Sequence, residues 1–274
     1  EIGRQNRLHL YRLDLLPKLK PLVAEQLRFE VKERLDHKGQ TIVGLSRDSV
    51  KEVCEQIEKI EPGAIAVSLL HSYANPGHEL ELGKQLKPFV SNITLSHEVN
   101  PEAREYERTS TTVLSASVME PVSNYLEQID SSKPDTSALY FFHSAGGMIT
   151  PDLVRKLPLS LAFSGPAAGV VAAGHVARAL EQEHVISFDM GGTTTDVCLI
   201  NYGQAEVSSN RSLNGLPLRM PMLALESIGA GGGSIARLDT GVLRVGPESA
   251  GADPGPACYG CGGNSATVTD ANLV

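Results

Sequence analysis

The sequence predicts an α/β fold in which helices cover a sheet, and three observations predict it. Helix-like and strand-like stretches alternate through the first third of the chain. An apolar run of buried-strand length, AIAVSLLHSY (64–73), lies between two helical patterns. Further on, SFDMGGTTTDVCLI (187–200) joins two strand-like apolar runs through a turn of glycines and threonines. At 274 residues the chain is long enough for two compact domains with cores of their own.

The elements follow in order. SRDSVKEVCEQIEKI (46–60) puts Val50, Val53, Ile57 and Ile60 near one helix face, with Ser or Asp available as a cap. The run 64–73 follows as a strand, the turn ANPGHEL leads into a helix over 77–87, and NITLSHEV (92–99) is a second strand. From Glu102 to Ile129 a helical pattern is interrupted at Pro121, and a domain boundary is expected on it near residue 118, dividing the chain into 1–118 and 119–274. SSKPDTS (131–137) is a polar linker. ALYFFHSAGGMIT is a strand with a Gly-Gly turn, and SGPAAGVVAAGHVARAL (164–180) is a small-residue helix entered through Pro166. Beyond residue 200, Gly and Pro dominate, as in loops crowded around a site, with short strands at SIARLD and VLRVG. TDANLV reads as a helix just begun, so the chain is expected to be a fragment of a longer polypeptide.

Composition excludes several classes. With 24 basic and 32 acidic residues the net charge is −8, a poor balance for general nucleic-acid binding, which depends on neutralising phosphates. No apolar run approaches the roughly 20 residues of a membrane span, and the start has no signal-peptide core. Four cysteines at 54, 198, 258 and 261 are too few and too uneven for a disulfide framework, which points to a cytoplasmic protein with reduced thiols. Cys258 and Cys261 have C-x-x-C spacing, readable as a metal or redox pair or as small residues in a glycine-rich loop; a zinc site wants four ligands.

The densest chemistry lies in FDMGGTTTD. A strand ending in Asp189 places a carboxylate at the mouth of a cleft, where it can hold Mg²⁺ directly or through water. Gly191 and Gly192 let the backbone fold into an amide-lined turn, and Thr193, Thr194 and Thr195 add hydroxyl donors for phosphate oxygens. Asp196, where the next strand resumes, is placed to orient the metal or a water. The competing reading is a plain tight hairpin with threonines for strand propensity. No Walker P-loop occurs, and GAGGGS (229–234) only imitates the dinucleotide fingerprint, since its last position is Ser234 and no suitable helix follows.

The D-x-G-G-T-T-x-D pattern resembles the phosphate-binding hairpin of the superfamily of actin, sugar kinases and heat-shock chaperones. Residues 96–122, 164–174, 188–200, 226–236 and 244–260 occur as ordered blocks that together resemble the hydantoinase A/5-oxoprolinase family over most of the chain from about residue 60 onward. The resemblance implies two ribonuclease-H-like (actin-like ATPase) domains, both incomplete here, with ATP between them and the first hairpin upstream of this chain. It implies ATP and Mg²⁺ or another divalent metal, a small cyclic amide substrate (5-oxoproline, which belongs to glutathione metabolism, or a hydantoin), a hydantoinase B-type subunit or fused module, and an oligomer. Phosphorylating the amide oxygen would activate a poor electrophile, which calls for phosphate positioning, metal and an oxygen-stabilising pocket. An ATP-dependent ketone carboxylase subunit and a non-catalytic actin-like nucleotide-binding protein are the alternatives.

On that implication Asp189 and Asp196 are catalytic residues and metal ligands, and the Gly191–Thr195 stretch holds phosphate. The amides of Gly229, Gly231, Gly232 and Gly233 line a second anion-binding wall, or simply make turns. Asp253 in GADPGP faces substrate or makes an Asp-Pro turn. His97, Glu98, Arg104, Glu105 and Arg108 line a cleft or decorate a surface helix. His143 ends a strand as a functional group or as a hydrogen-bonded histidine, and SGPAAG sets a helix N-terminus near a phosphate. Cys261 departs from the family pattern, where a basic residue is expected.

Overall fold

Ser46 starts the first helix: its hydroxyl accepts the Ser49 amide hydrogen, and α1 (Arg47–Ile60) runs to a left-handed cap at Glu61. The computed structural model describes residues 21–134, 137–213 and 215–274. The opening segment EIGRQNR lies outside the described residues, as do two positions of the 131–137 linker. The described chain is a mixed α/β fold that separates into two units discontinuous in sequence. The first gathers the described residues up to Phe141 with Met148–Ala162 and Ser208–Pro221. The second comprises Phe142–Gly147, Phe163–Val207 and Met222–Val274.

In the first unit, a two-stranded antiparallel ribbon (β1, Arg34–Leu35; β2, Thr41–Val43) precedes α1. Next comes a parallel pair, β3 (Ile65–Val67) and β4 (Ile93–Leu95), registered Ile65 to Ile93 and Val67 to Leu95. Parallel strands need a crossover, and α2 (Gly77–Leu86) supplies it. Val50, Val53, Cys54 and Ile57 of α1 meet Val67, Leu82, Leu86 and Leu95 in one apolar core.

Both strands are shorter than the runs 64–73 and 92–99 predict, and the cause is one buried carboxylate. Glu79 is fully buried. Its Oε1 accepts the Leu69 amide at 2.8 Å and the Ser96 hydroxyl at 2.7 Å. Its Oε2 accepts the His97 amide at 3.1 Å and lies 2.7 Å from His97 Nδ1. Backbone groups that would extend the ladder are therefore diverted to Glu79, and the chain after β4 turns into a short helix, α3 (Ser96–Val99). Arg108, 1% exposed, completes the network: Nε donates to Ser96 Oγ, Nη1 to the Glu102 carbonyl and Nη2 to the Leu69 carbonyl.

The long helical pattern divides into α4 (Glu105–Ser117) and α5 (Met119–Ser132). The break falls at Val118 and not at Pro121, which sits in the first turn of α5, where its missing N–H leaves no bond unmade. A short α6 (Pro151–Lys156) starts on a proline, and the hairpin Arg211–Leu213/Leu216–Leu218 packs Leu216 and Leu218 against α4. The Arg219 amide donates to Thr111 Oγ1 at 2.9 Å.

The second unit is built on α7 (Ser164–Ala179) and an antiparallel sheet. The sheet has four strands: β5 (His184–Met190), β6 (Thr195–Asn201) and β7 (Glu226–Ile228) in the order β7-β6-β5, and the short strand Gln204–Ala205, which pairs with the end of β6. Ala167 and Val170 of α7 pack on Cys198 and Ile200 of β6 with Leu223 and Leu225. The small residues of α7 allow this approach: a Cβ on Gly174 would lie 2.9 Å from the Gly203 carbonyl oxygen. Beyond the sheet, β8 (Ser234–Asp239) and β9 (Val242–Ser249) form a hairpin whose turn residues, Thr240 and Gly241, both have positive φ. The final helix, α8 (Val268–Leu273), opens with a capping box in which Thr267 and Asp270 bond each other's backbone amides.

Truncating Arg108 should leave the Ser96 hydroxyl and the Leu69 and Glu102 carbonyls without their donor and remove the cation beside the buried Glu79. Arg108→Ala is expected to cost about 3–5 kcal/mol in urea denaturation. Arg104→Ala, whose side chain is 61% exposed, is expected to stay within about 0.5 kcal/mol.

Candidate functional site

β5 and β6 are registered so that Asp189 stands directly opposite Asp196 and Met190 opposite Thr195. The turn between them is closed by a 2.9 Å bond from the Gly191 amide to the Thr194 carbonyl, and residues 191–194 are exposed. Directly opposed residues on antiparallel strands share a face, with Cβ atoms about 4.5–5.5 Å apart. Alternation along β6 puts Asp196 on the side of Cys198 and Ile200, which α7 covers. A Cβ built on Gly169 of α7 would lie 3.7 Å from Asp189 Oδ2, so the helix meets this carboxylate without a side chain between them. Two like charges opposed on a hairpin repel each other unless a cation or donor intervenes. One donor is present: Ser227 of β7, registered opposite Asp196, gives its hydroxyl hydrogen to Asp196 Oδ1.

The glycine loop 229–233 locks onto the back of the turn. The Gly232 amide donates to the Gly191 carbonyl at 2.9 Å, and the Gly233 amide to the Gly192 carbonyl. Thr195 is buried, and its Oγ1 donates to the Ala230 carbonyl at 2.6 Å. A Cβ on Gly231 would sit 2.6 Å from the Thr193 nitrogen and 2.7 Å from the Gly191 oxygen, a clash with backbone on both counts. The Gly231 amide donates to Ser234 Oγ at 2.8 Å. The amides of Gly232 and Gly233 thus hold the turn's shape from behind, and the Thr195 hydroxyl is engaged inside the protein; Thr193 and Thr194 stand exposed at the tip.

A second tier holds the glycine loop. The Thr269 amide and hydroxyl both donate to the Gly232 carbonyl at 2.8 Å, and the Ala250 amide donates to the Gly233 carbonyl at 2.8 Å. Asp270 carries this tier: besides capping α8, its Oδ1 accepts the Cys258 amide at 2.7 Å. The Cys258 amide, the Cys258 thiol and Thr267 hold the Asp270 carboxyl well below the usual carboxylate range. The same hydrogen bond to Asp270 pushes the Cys258 thiol up. Cys258 and Cys261 are exposed and unbridged. Asp253 lies exposed on the turn after Ala250, which joins that segment to Gly233.

The structure therefore gathers Asp189, Asp196, the turn 191–194 and the loop 229–233 into one locus of the second unit. Among the described residues, no group of three or more His, Cys, Asp or Glu side chains is placed to hold a metal. Two opposed carboxylates with open positions for water and phosphate oxygens suit Mg²⁺, which takes one or two carboxylates and keeps several waters. His143 accepts the Ala145 amide at its Nδ1, 3.1 Å away. His97 and Arg108 belong to the buried Glu79 network of the first unit, Glu98 is exposed, and Arg104 pairs with Glu107 at 3.6 Å. Sequence reasoning missed Ser227, Thr269, Asp270 and Gly169. The Thr267/Asp270 spacing is a capping signature that was open to view; Ser227 and Gly169 have no signal outside strand register and helix packing.

A glycine–threonine turn with opposed aspartates, clamped by a glycine loop, occurs here in a chain that belongs to the hydantoinase/oxoprolinase family: the Hydantoinase/oxoprolinase model matches residues 108–274, and the model of the family's N-terminal region matches residues 1–90. The ATP-dependent caprolactamase of Pseudomonas jessenii is similar in structure, with a TM-score of 0.78 and 34% identity over 99% of this chain and 40% of that one. Acetone carboxylase, in a nucleotide-free structure, gives a TM-score of 0.75 and 27% identity over 94% of this chain and 38% of that one. The 5-oxoprolinase of Saccharomyces cerevisiae is 35% identical over 231 residues, 82% of this chain and 18% of that protein. The chain spans less than half the length of these relatives. Among the described residues no helix is long and apolar enough to cross a membrane.

Gly231→Ala should force the two backbones apart, costing about 1–3 kcal/mol, whereas Gly192→Ala, whose Cβ would meet open space, should keep the fold. Thiol labelling at pH 8 should find Cys258 and Cys261 reactive and the buried Cys54 and Cys198 protected. Because Asp270 raises the Cys258 pKa, less thiolate is present at a given pH, and Asp270→Asn should speed labelling of Cys258.

Proposed function

We propose that this chain carries the metal–phosphate half of an ATP-dependent enzyme that opens a cyclic amide, 5-oxoproline ahead of a hydantoin. The observation that carries the reading is the 191–194 turn, flanked by the opposed Asp189 and Asp196 and clamped by the loop 229–233. Similarity to a caprolactamase and a 5-oxoprolinase supports ring opening, since both act on cyclic amides. The acetone carboxylase neighbour supports a second reading, a subunit that activates a ketone for carboxylation with the same ATP-handling parts.

Bound as Mg–ATP, the nucleotide supplies a phosphoryl group that makes a poor electrophile reactive. This chain's residues do the positioning. Asp189 and Asp196 hold the cation, and the backbone amides of residues 192–194 with the Thr193 and Thr194 hydroxyls hold phosphate oxygens. The Gly231–Gly233 clamp keeps those amides in place before the nucleotide arrives, so that little reorganisation is left for the reaction. Asp253, on the loop tied to Gly233 through Ala250, is assigned to the substrate side. The resemblance to two-domain ribonuclease-H-like ATPases supports a second phosphate hairpin outside the residues of this sequence. Membership of the hydantoinase/oxoprolinase family supports a hydantoinase B-type partner and an oligomeric assembly, and the free thiols fit a cytoplasmic setting.

Phosphate release by the full-length polypeptide with its partner module, with 5-oxoproline, hydantoin or acetophenone added, tests the reading. Stimulation by a cyclic amide is the expected result; stimulation by the ketone alone selects the carboxylase, and none at all overturns both. Asp189→Asn is expected to lower turnover by about 10²-fold or more, the scale of losing a preorganised electrostatic group, with an unchanged circular dichroism spectrum.

A further inference from the structure

Asp196 does not face Asp189 alone. Strand register sets three side chains in one row across three strands: Ser227 opposite Asp196 on β7 and β6, and Asp196 opposite Asp189 on β6 and β5. The row lies on the sheet face that α7 covers. Ser227 gives its hydroxyl hydrogen to Asp196 Oδ1. That bond is not required for strand pairing, which the backbone already makes. The register that creates it is itself locked, because Ile228 is paired with Thr195 and the Thr195 hydroxyl is tied to the Ala230 carbonyl just beyond β7.

We propose that Ser227 is a positioning residue for the metal–phosphate site, fixing Asp196 so that one carboxylate oxygen is taken and the other is presented beside Asp189. The inference rests on reading this hairpin as the Mg–ATP grip and says which residue outside the hairpin makes it competent. Without a donor at Oδ1, Asp196 is free to rotate away from Asp189, which like-charge repulsion favours before a cation binds. A hydroxyl suits the task better than a cationic side chain: Lys or Arg at this position would bring a fixed positive charge to Asp196 and compete with the metal, whereas serine orients the carboxylate and leaves its charge for Mg²⁺.

The test uses the full-length polypeptide and measures ATP binding by calorimetry across a Mg²⁺ series, a readout independent of turnover. Ser227→Ala is expected to raise the Mg²⁺ concentration for half-maximal ATP binding about tenfold, the scale of one lost hydrogen bond to a charged group. Metal-free ATP binding and the unliganded Tm should be unchanged. Ser227→Thr keeps the hydroxyl on a strand-compatible side chain and should restore the Mg²⁺ dependence to within about threefold of the parent. Parent-like Mg²⁺ dependence in Ser227→Ala overturns the proposal. So does a drop in unliganded Tm that accounts for the whole loss and that Ser227→Thr does not repair, since that marks a purely structural side chain. If the parent protein itself shows no Mg²⁺-dependent ATP binding, the reading of the hairpin fails first and the role of Ser227 falls with it.

Discussion

The close approach of Gly231 to the 191–193 backbone is the constraint on which the site depends. No side chain fits there, because even a methyl group would lie inside contact distance of a nitrogen and a carbonyl oxygen. With that gap closed, the Gly232 and Gly233 amides reach the carbonyls of Gly191 and Gly192, and the turn's carbonyls point back into the protein. Two of the turn's carbonyls are thereby satisfied within the protein, while residues 191–194 themselves stay exposed. Thr269 and Asp270 then carry the same order outward to the Cys258 loop. Conformational order at the tip is thus maintained by residues that never touch it.

Charge placement follows the same economy. The Asp189–Asp196 pair sets like charges on directly opposed residues, which is unfavourable unless a donor or a cation offsets it. Gly169 on α7 and Ser227 on β7 bound the pair on two sides, one by leaving room and the other by donating a hydrogen. Within the first unit the opposite solution appears. The Glu79 carboxylate is satisfied entirely by Leu69, Ser96 and His97, with Arg108 bonded to the same Ser96 hydroxyl, so its charge is spent on holding strand ends and α3 together. A carboxylate saturated with protein donors is structural, and a carboxylate pair short of donors is available to a ligand.

Much of this was legible in advance. The capped helix at 47–60, the crossover helix, α7, the hairpin around the glycine–threonine turn and the start of α8 all follow local rules of capping, periodicity and turn chemistry. The strand ends at Leu69 and Ser96 did not, because Glu79 lies on a helix face that periodicity treats as one more polar position. The helix break at Val118 was misplaced to Pro121 because a proline in a first turn leaves no local mark that distinguishes it from one that ends a helix.

By itself the sequence determined the α/β class, the hairpin with its paired aspartates and the membership of a family, because each is written in contiguous residues. Only the tertiary structure decided that the amides of Gly232 and Gly233 clamp the turn from behind, that the Thr195 hydroxyl is bonded internally, and that Ser227 and Gly169 lie beside the aspartate pair. The reason is physical. A glycine that opens space for a ligand and a glycine that lets two backbones touch are the same letter, and which one it is depends on what the fold brings to the place a Cβ would occupy.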